Sequence, residues 1–181
     1  MNNISMSKSQ LRARANKQLA TISPENKKQQ SANICHTLEQ YNNKYEIWAV
    51  FIPFVYEPNI TSFIEQLWKQ NKTVLVPQID GDWLRLAYYN ADSIITQWIY
   101  GEWIIQNPVW HQWLLDVCLV PWLAFDLQGN RLGHGKWYYD KFLAVNNCYR
   151  IGVCHKETIV ENIPHNNLDQ WMNLIITEHQ L

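Results

Sequence analysis

The sequence predicts an α/β fold whose sheet is at least partly parallel, and three observations lead to this prediction. Residues 47–53, 72–77 and 117–120 are short, almost continuously apolar runs, which are typical of strands buried on both faces. Between the first two runs, residues 60–70 carry apolar side chains at helical spacing. A strand, a helix and a second strand in this order form a right-handed parallel unit.

Two helices are predicted before the first strand, after residues 1–6, which we expect to be a flexible tail. The first helix covers residues 7–20 and is rich in Lys and Arg, a pattern typical of a solvated helix face. Ser23 can cap the second helix and Pro24 suits its first position, so this helix begins here and runs to about residue 41.

The second half of the chain predicts further strands. Residues 83–89 follow an Asp-Gly-Asp turn and alternate partly between apolar and polar side chains, which indicates a strand. Residues 149–154 indicate another strand, and residues 157–160 a short strand or turn. The sequence contains no internal repeat, and its 181 residues suit one domain that spans residues 1–181.

Composition and charge argue against several classes of function. Fifteen basic and sixteen acidic residues leave a formal net charge of −1, which steers the protein toward neither nucleic acid nor an acidic membrane. No apolar run approaches the roughly 20 residues that span a bilayer. The four cysteines lack C-x-x-C spacing and no signal peptide is evident, which favours a reducing cytoplasm. We therefore expect a cytoplasmic monomer without nucleic-acid or membrane partners.

A loop rich in glycine and basic residues follows the run at residues 117–120. Three glycines alternate there with cations or histidine, and residues 138–143 then have the spacing of a helix. Loop amides, a helix N-terminus and cationic side chains together bind phosphate, and Asp140 in the first helical turn could hold Mg²⁺. A surface loop with an Asp favoured by the helix dipole explains the same pattern. The loop residues are Gly129, Arg131, Gly133, His134, Gly135 and Lys136.

Residues 123–143 also carry a specific family resemblance. They read Leu-Ala-Phe-Asp-x-x-Gly-Asn-Arg-Leu-Gly-x-Gly-Lys-x-Tyr-Tyr-Asp-Lys-Phe-Leu, which resembles the signature of the 5-formyltetrahydrofolate cyclo-ligases, also called 5,10-methenyltetrahydrofolate synthetases. The resemblance implies a three-layer α/β domain with a mostly parallel central sheet flanked by helices. It also implies closure of 5-formyltetrahydrofolate to 5,10-methenyltetrahydrofolate with ATP and Mg²⁺.

The resemblance implies the ATP and metal contacts. Residues 8–12 match an amino-terminal Lys-x-x-Leu-Arg element that reaches the nucleotide phosphates, and residues 164–169 match a Pro-x-x-x-x-Asp element of the metal site. The implied Mg²⁺ ligands are Asp140 and Asp169, and the implied catalytic residues are Arg131, Lys136 and Tyr139. The implied ATP contacts are Lys8, Ser9, Gln10, Leu11, Arg12, Arg131, Leu132, Gly133, His134, Gly135, Lys136, Trp137, Tyr138 and Tyr139.

The folate contacts come from two parts of the chain. Glu57 matches a family carboxylate that binds the pterin ring, and Ile52 matches a second contact position. The loop supplies the others, His134, Gly135, Lys136, Trp137 and Tyr138. The implied chemistry needs no protein nucleophile, because the formyl oxygen attacks the γ-phosphate and N10 then closes the ring. The protein must align these groups, neutralise the phosphates and exclude water.

Two other classes of function stay open. Trp137 stands where the family has glycine, and Asn59, Ile60 and Asn107 also depart from its pattern, so the chain could bind folate or nucleotide without turnover. Glycine-rich phosphate loops recur on many folds, so an enzyme like a sugar-phosphate isomerase is the other alternative. If Trp137 keeps φ below zero and its ring swings toward the folate, catalysis survives; if the ring fills the site, it does not.

Overall fold

A six-stranded sheet forms the centre of the fold in the residues that the computed structural model describes, which are 6–97, 103–112, 114–133, 135 and 137–179. The strands in these ranges are β1 (Ile47–Ala49), β2 (Thr73–Asp80), β3 (Trp83–Tyr88), β4 (Ile95–Gln97), β5 (Trp103–Ile105), β6 (Val117–Pro121), β7 (Ala124–Asp126), β8 (Arg131–Leu132), β9 (Tyr149–Val153), β10 (Ile159–Val160) and β11 (Leu174–Ile176). The helices are α1 (Lys8–Thr21), α2 (Pro24–Glu39), α3 (Thr61–Lys69) and α4 (Tyr138–Val145).

The central sheet is mostly parallel, and the predicted fold class is confirmed. Its strand order is β11-β9-β6-β1-β2-β3, and every neighbouring pair is parallel except the antiparallel hairpin β2–β3. Alternate residues of the central strands pack on opposite faces of the sheet. Trp48 and Leu119 pack with α2 and α3, whereas Ala49 and Cys118 pack with α4, so helices cover both faces.

Helix α1 lies outside these two layers, against the loops at the carboxyl end of β6. Its buried residues Leu11, Ala15 and Leu19 pack in a third cluster with Leu123, Leu132 and Ile163 of those loops. Ser7 caps the helix and forms a reciprocal capping box with Gln10. Met6 packs against the same cluster and residues 1–5 lie outside the described ranges, so the flexible tail at residues 1–6 stays a prediction.

Two predicted element boundaries need correction. Helix α2 begins as predicted, with the Ser23 side chain accepting the Asn26 N–H, but it ends at Glu39 and a short 3₁₀ helix follows. Strand β1 ends at Ala49 and does not extend through residue 53. The chain leaves the sheet there because it turns back at residues 54–57, where the Phe54 N–H bonds to the Glu57 carboxylate at 2.8 Å.

The glycine-rich segment after β6 is not the single loop that the sequence predicted, because β7 and β8 form an antiparallel hairpin within it. Asp126 is fully buried at the hairpin turn and accepts N–H groups of Gln128, Asn130 and Ile163. Gly129 has a φ of +89°, and a Cβ there would lie 2.6 Å from the Met172 carbonyl oxygen. Gly129 therefore belongs to the turn that positions Arg131, and not to a phosphate loop.

Strand β11 was not predicted. It has three residues and pairs in parallel with β9 at the edge of the sheet. Strands β4 and β5 pair with each other in antiparallel fashion, and residues 98–102 between them lie outside the described ranges. None of the helices in the described part of the chain has the length and apolar character needed to cross a membrane.

Candidate active site

Helix α1 contributes two cations to one cavity. Lys8 and Arg12 lie four residues apart, so they share a helix face, and both line a cavity of about 320 Å³. Lys8 Nζ donates to the Asp169 carboxylate at 2.9 and 3.1 Å, and Arg12 Nε donates to the Gly133 carbonyl oxygen at 2.6 Å. The helix thus presents Arg12 to the segment that follows β8 and Lys8 to the segment before β11.

Strand β8 supplies the third cation. Arg131 is only 5% exposed, donates to the Gln170 carbonyl oxygen at 3.2 Å and forms an ion pair with Asp140 at the start of α4. Burial lowers the pKa of Arg131, and the nearby carboxylates of Asp140 and Asp169 oppose this shift by favouring its charged form. Arginine stays protonated in proteins, so Arg131 is a buried cation at the wall of the cavity.

The two predicted metal ligands line this same cavity. Asp140 accepts the Gln170 N–H at 3.1 Å in addition to its pair with Arg131. Burial raises the pKa of Asp169, but hydrogen bonds from Lys8 and from the Asn166 N–H outweigh it, so the pKa lies below its usual value. Asp169 and Asp140 are therefore paired with Lys8 and Arg131, the cations that the family resemblance assigns to the nucleotide phosphates.

Their chemistry fits a magnesium ion only together with other ligands. Carboxylate oxygens are donors that Mg²⁺ prefers, and the ion usually takes one or two of them besides phosphate oxygens and waters. Within the described residues, no group of three or more His, Cys, Asp or Glu side chains is arranged to hold a metal ion. Asp140 and Asp169 thus suit a magnesium ion that arrives with nucleotide phosphates, and do not form an all-protein metal cage.

Trp122, which the sequence reasoning did not single out, lies at the centre of these contacts. Its ring centroid lies 4.7 Å from the Arg131 guanidinium carbon and 5.1 Å from the ring centroid of Tyr139. A Cβ on Gly133 would lie 2.2 Å from a carbon of the Trp122 ring. Gly133 is therefore glycine because the indole occupies that space. An aromatic residue directly after a buried strand was the available signal.

Gly135 and Trp137 lead into α4. Gly135 has a φ of +90°, which disfavours any side chain, and lies beside the Arg12 guanidinium. Trp137 directly precedes α4 with a φ of −70°, lines the cavity and is 54% exposed. Catalysis with a tryptophan at this position requires a negative φ and a ring directed toward the folate, and the φ of Trp137 meets the first of these two conditions. The predicted site residues His134 and Lys136 lie outside the described residues.

Several predicted contact residues direct no side chain to this cavity. Leu11 and Leu132 are buried in the third cluster around α1, so only their backbone could touch a ligand. Ser9 and Gln10 are exposed, and the Gln10 side chain accepts the Ser7 N–H at 2.9 Å. Tyr138 is half-buried and does not line this cavity. The ATP contacts assigned to these five residues stay predictions.

The predicted folate residues are divided between two environments. Glu57 lines a second cavity of about 630 Å³, and burial raises its pKa to about 7, although the Phe54 N–H bond opposes the shift. Burial also raises the pKa of Tyr139 well above its usual range, with smaller contributions from Cys118 and Glu57. Ile52, in contrast, packs against the core on the α2 and α3 side of the sheet.

Comparisons with known proteins agree with this architecture. The model of the 5-formyltetrahydrofolate cyclo-ligase family matches residues 4–178. The chain is 27% identical to the 5-formyltetrahydrofolate cyclo-ligase of Mus musculus over 196 residues, covering 97% of this chain and 95% of the mouse protein. It is 30% identical to the enzyme of that name from Escherichia coli (strain K12) over 138 residues, covering 71% of this chain and 76% of the bacterial protein.

A solved structure also shares the fold. The NMR structure of Aquifex aeolicus 5,10-methenyltetrahydrofolate synthetase superimposes with a TM-score of 0.84 at 24% identity, covering 97% of this chain and 91% of that chain. The fold is thus that of the synthetase, and the family match spans nearly the whole chain. The chain belongs to the 5-formyltetrahydrofolate cyclo-ligase family.

Proposed function

We propose that this protein cyclises 5-formyltetrahydrofolate to 5,10-methenyltetrahydrofolate, with ATP converted to ADP and phosphate. The observation that carries the proposal is the convergence of Lys8, Arg12 and Arg131 with Asp140 and Asp169 on one cavity. Three cations and two carboxylates suit a polyphosphate bound with a divalent cation. Membership of the cyclo-ligase family supports the choice of folate as the second substrate.

The cations position the nucleotide phosphates. Lys8 forms an ion pair with Asp169, and Arg131 forms one with Asp140. Phosphate oxygens would take over these cations and so release both carboxylates toward Mg²⁺, which when bound would neutralise charge on the phosphates. Nucleotide and metal should therefore bind together. The phosphates free the two carboxylates for Mg²⁺, and Mg²⁺ neutralises charge on the phosphates.

The folate side of the reaction depends on Glu57. A carboxylate accepts two hydrogen bonds from the donor pair of an aminopyrimidine ring, and such bonds favour the charged form of Glu57. With the pterin held there, the formyl oxygen attacks the γ-phosphorus of ATP and ADP leaves. N10 then attacks the activated carbon and loses its proton, and the formyl oxygen departs with phosphate, which can take up that proton. The protein contributes alignment, charge and exclusion of water.

Trp137 motivates one alternative function. Its ring lines the cavity, and if the ring filled the cavity the protein would bind nucleotide or folate without turnover. The negative φ and half-exposed ring of Trp137 favour the catalytic function, because a ring that filled the cavity would be shielded from solvent. We also propose that the protein acts on small molecules as a cytoplasmic monomer.

Absorbance in the band of the methenyl product tests the proposal. Purified protein is mixed with 5-formyltetrahydrofolate, and ATP or Mg²⁺ is omitted in parallel reactions. We expect the band to grow only in the complete mixture. Binding of either substrate without growth of the band would support the non-catalytic alternative, and absence of both binding and turnover would contradict the assignment.

A further inference from the structure

Trp122 occupies the first position after β6, at the carboxyl end of the central strands. Its half-buried side chain forms part of the wall of the cavity that Lys8, Arg12 and Arg131 line, which we call the phosphate cavity. Its indole nitrogen is buried and has no hydrogen-bond partner among the described residues. A tryptophan usually satisfies this donor when it is buried, so packing of the ring, and not a bond from its nitrogen, explains its place here.

The Trp122 ring contacts the Arg131 guanidinium in addition to the guanidinium's hydrogen bonds. Two guanidinium nitrogens bond to the Gln170 carbonyl oxygen and to Asp140, whereas Arg131 Nε has no partner in the described part of the chain. The Trp122 ring lies 4.7 Å from the guanidinium carbon, which is within the range of a cation–π contact. This contact does not involve the anionic partner, so the ring can keep Arg131 aimed at the cavity when a phosphate replaces Asp140.

The same ring supports two other parts of the site. The Trp122 and Tyr139 rings meet at an interplanar angle of 81°, the edge-on arrangement that aromatic quadrupoles favour. The Trp122 ring also excludes any Cβ from Gly133, whose carbonyl oxygen accepts a hydrogen bond from the Arg12 side chain. One indole therefore contacts the Arg131 guanidinium, the backbone that binds Arg12 and the first turn of α4.

We propose that Trp122 is a positioning residue of the cyclo-ligase reaction, which orients the Arg131 guanidinium and the Tyr139 ring around the γ-phosphate. This inference rests on the proposed function. Trp122 needs no contact with substrate, because it acts through the two side chains that it holds. Its loss should therefore change how ATP is bound and turned over more than it changes the stability of the fold.

Leucine and phenylalanine variants of Trp122 separate positioning from simple packing. Trp122→Leu removes the aromatic face, and we expect the KM for ATP to rise about tenfold, with a lower kcat, because a partly buried cation–π contact is lost. Trp122→Phe keeps an aromatic face, so it should recover most of this loss. Trp110→Leu is the matched control, since Arg85 lies 4.4 Å above the Trp110 ring away from this cavity, and it should shift the KM by less than about twofold.

A double-mutant cycle with Arg131→Ala tests whether Trp122 acts through Arg131. If it does, adding Trp122→Leu to Arg131→Ala should weaken ATP affinity by less than about threefold, measured by calorimetry. Additive losses, or a Trp122→Leu enzyme whose kinetics equal those of Trp110→Leu, would overturn the proposal. Equal melting-temperature losses in both Trp122 variants without a change in KM would also overturn it.

The binding measurement also separates this inference from the proposed function. A wild-type protein that binds ATP but forms no methenyl product would refute the function, while the affinity cycle would still report on Trp122. A wild-type enzyme that turns over, with a Trp122→Leu variant of unchanged KM and kcat, would refute the positioning role alone. If Trp122→Leu fails to fold, the Trp122→Phe cycle must show the same coupling to Arg131, or the proposal is wrong.

Discussion

The phosphate cavity and the buried polar cluster around residues 155–158 differ in how their polar side chains are paired. At the phosphate cavity, Lys8 and Arg131 each have a carboxylate partner, whereas Arg12 pairs with no carboxylate in the part of the chain that the structure describes. Around the 3₁₀ helix Lys156–Thr158, polar atoms of His155, Glu157 and Glu178 are buried without a hydrogen-bond partner among the described residues.

The difference indicates what each region does. The charges at the cavity have partners that a phosphate or a metal ion can replace, and their excess is positive, which suits an anionic ligand. The second region is closed, so its unpaired atoms are sites where ordered water would complete the hydrogen bonds. Exchangeable ion pairs therefore mark the candidate site, whereas a buried polar cluster with unpaired atoms makes the fold sensitive to pH. Four experiments test this difference between the two regions.

The largest effect is expected from Asp140→Asn. The change removes a predicted Mg²⁺ ligand and the anionic partner of Arg131, so turnover should fall by about two orders of magnitude or more. Raised Mg²⁺ should restore part of the rate. Asp80→Asn is the control, because Asp80 forms an exposed ion pair with Arg85 and should leave turnover nearly unchanged. Wild-type activity that persists without any divalent metal would contradict the ligand role of Asp140.

Arg12→Ala should weaken ATP binding next. A hydrogen bond from a charged group to phosphate contributes about 1.5 to 3 kcal/mol, so the KM for ATP should rise roughly tenfold to a hundredfold. The fold should persist, because the hydrogen bond of Arg12 Nε within the described residues goes to a backbone oxygen of the loop. Steady-state kinetics would measure the effect. Arg14→Ala on the exposed face of α1 is the control, and equal KM values for the two variants would assign Arg12 to a solvated helix face.

His155 should make the free energy of unfolding fall at acid pH. Burial and the nearby Lys27 lower its pKa to about 4 from an ordinary value of 6.5, although Glu157 opposes the shift. The unfolded chain therefore binds more protons between these values, so stability should fall as the pH drops from about 6.5 to 4. The loss should be on the order of 1 to 3 kcal/mol.

Chemical denaturation at several pH values would measure this slope. His155→Gln should reduce the acid-dependent loss, and the difference from the wild type isolates His155 from the carboxylates that titrate in the same range. His36→Gln, at an exposed histidine of α2, should retain the wild-type slope. A His155→Gln slope equal to that of the wild type would show that His155 does not sense pH in the folded protein.

The smallest effect on ATP is expected from Trp137→Gly. If the half-exposed ring serves the folate, ATP affinity should stay within about threefold, under roughly 0.7 kcal/mol, while the KM for folate changes more. Titrations followed by tryptophan fluorescence should respond more to folate than to ATP in the wild type and lose that response in the variant. An inactive wild type whose Trp137→Gly variant turns over would mean that the ring blocks the site.

The sequence by itself determined the features that depend on neighbouring residues. The caps at Ser7 and Ser23, the shared helix face of Lys8 and Arg12, and the apolar strands at the centre all follow from patterns within one or two helical turns or one strand. The motif at residues 123–143 likewise predicted the family, which the family match confirmed.

The tertiary structure decided the features that depend on residues far apart in the chain. Lys8 meets Asp169 across 161 positions and Arg12 meets Gly133 across 121, so no local pattern could show which carboxylate or backbone group each cation contacts. Gly129 and Gly133 look alike in sequence, but Met172 requires the first and Trp122 the second. Strand β11 has three residues and forms only because β9 offers it a parallel edge. Secondary-structure propensity depends on adjacent residues, whereas strand pairing and side-chain packing depend on which distant parts of the chain the fold brings together.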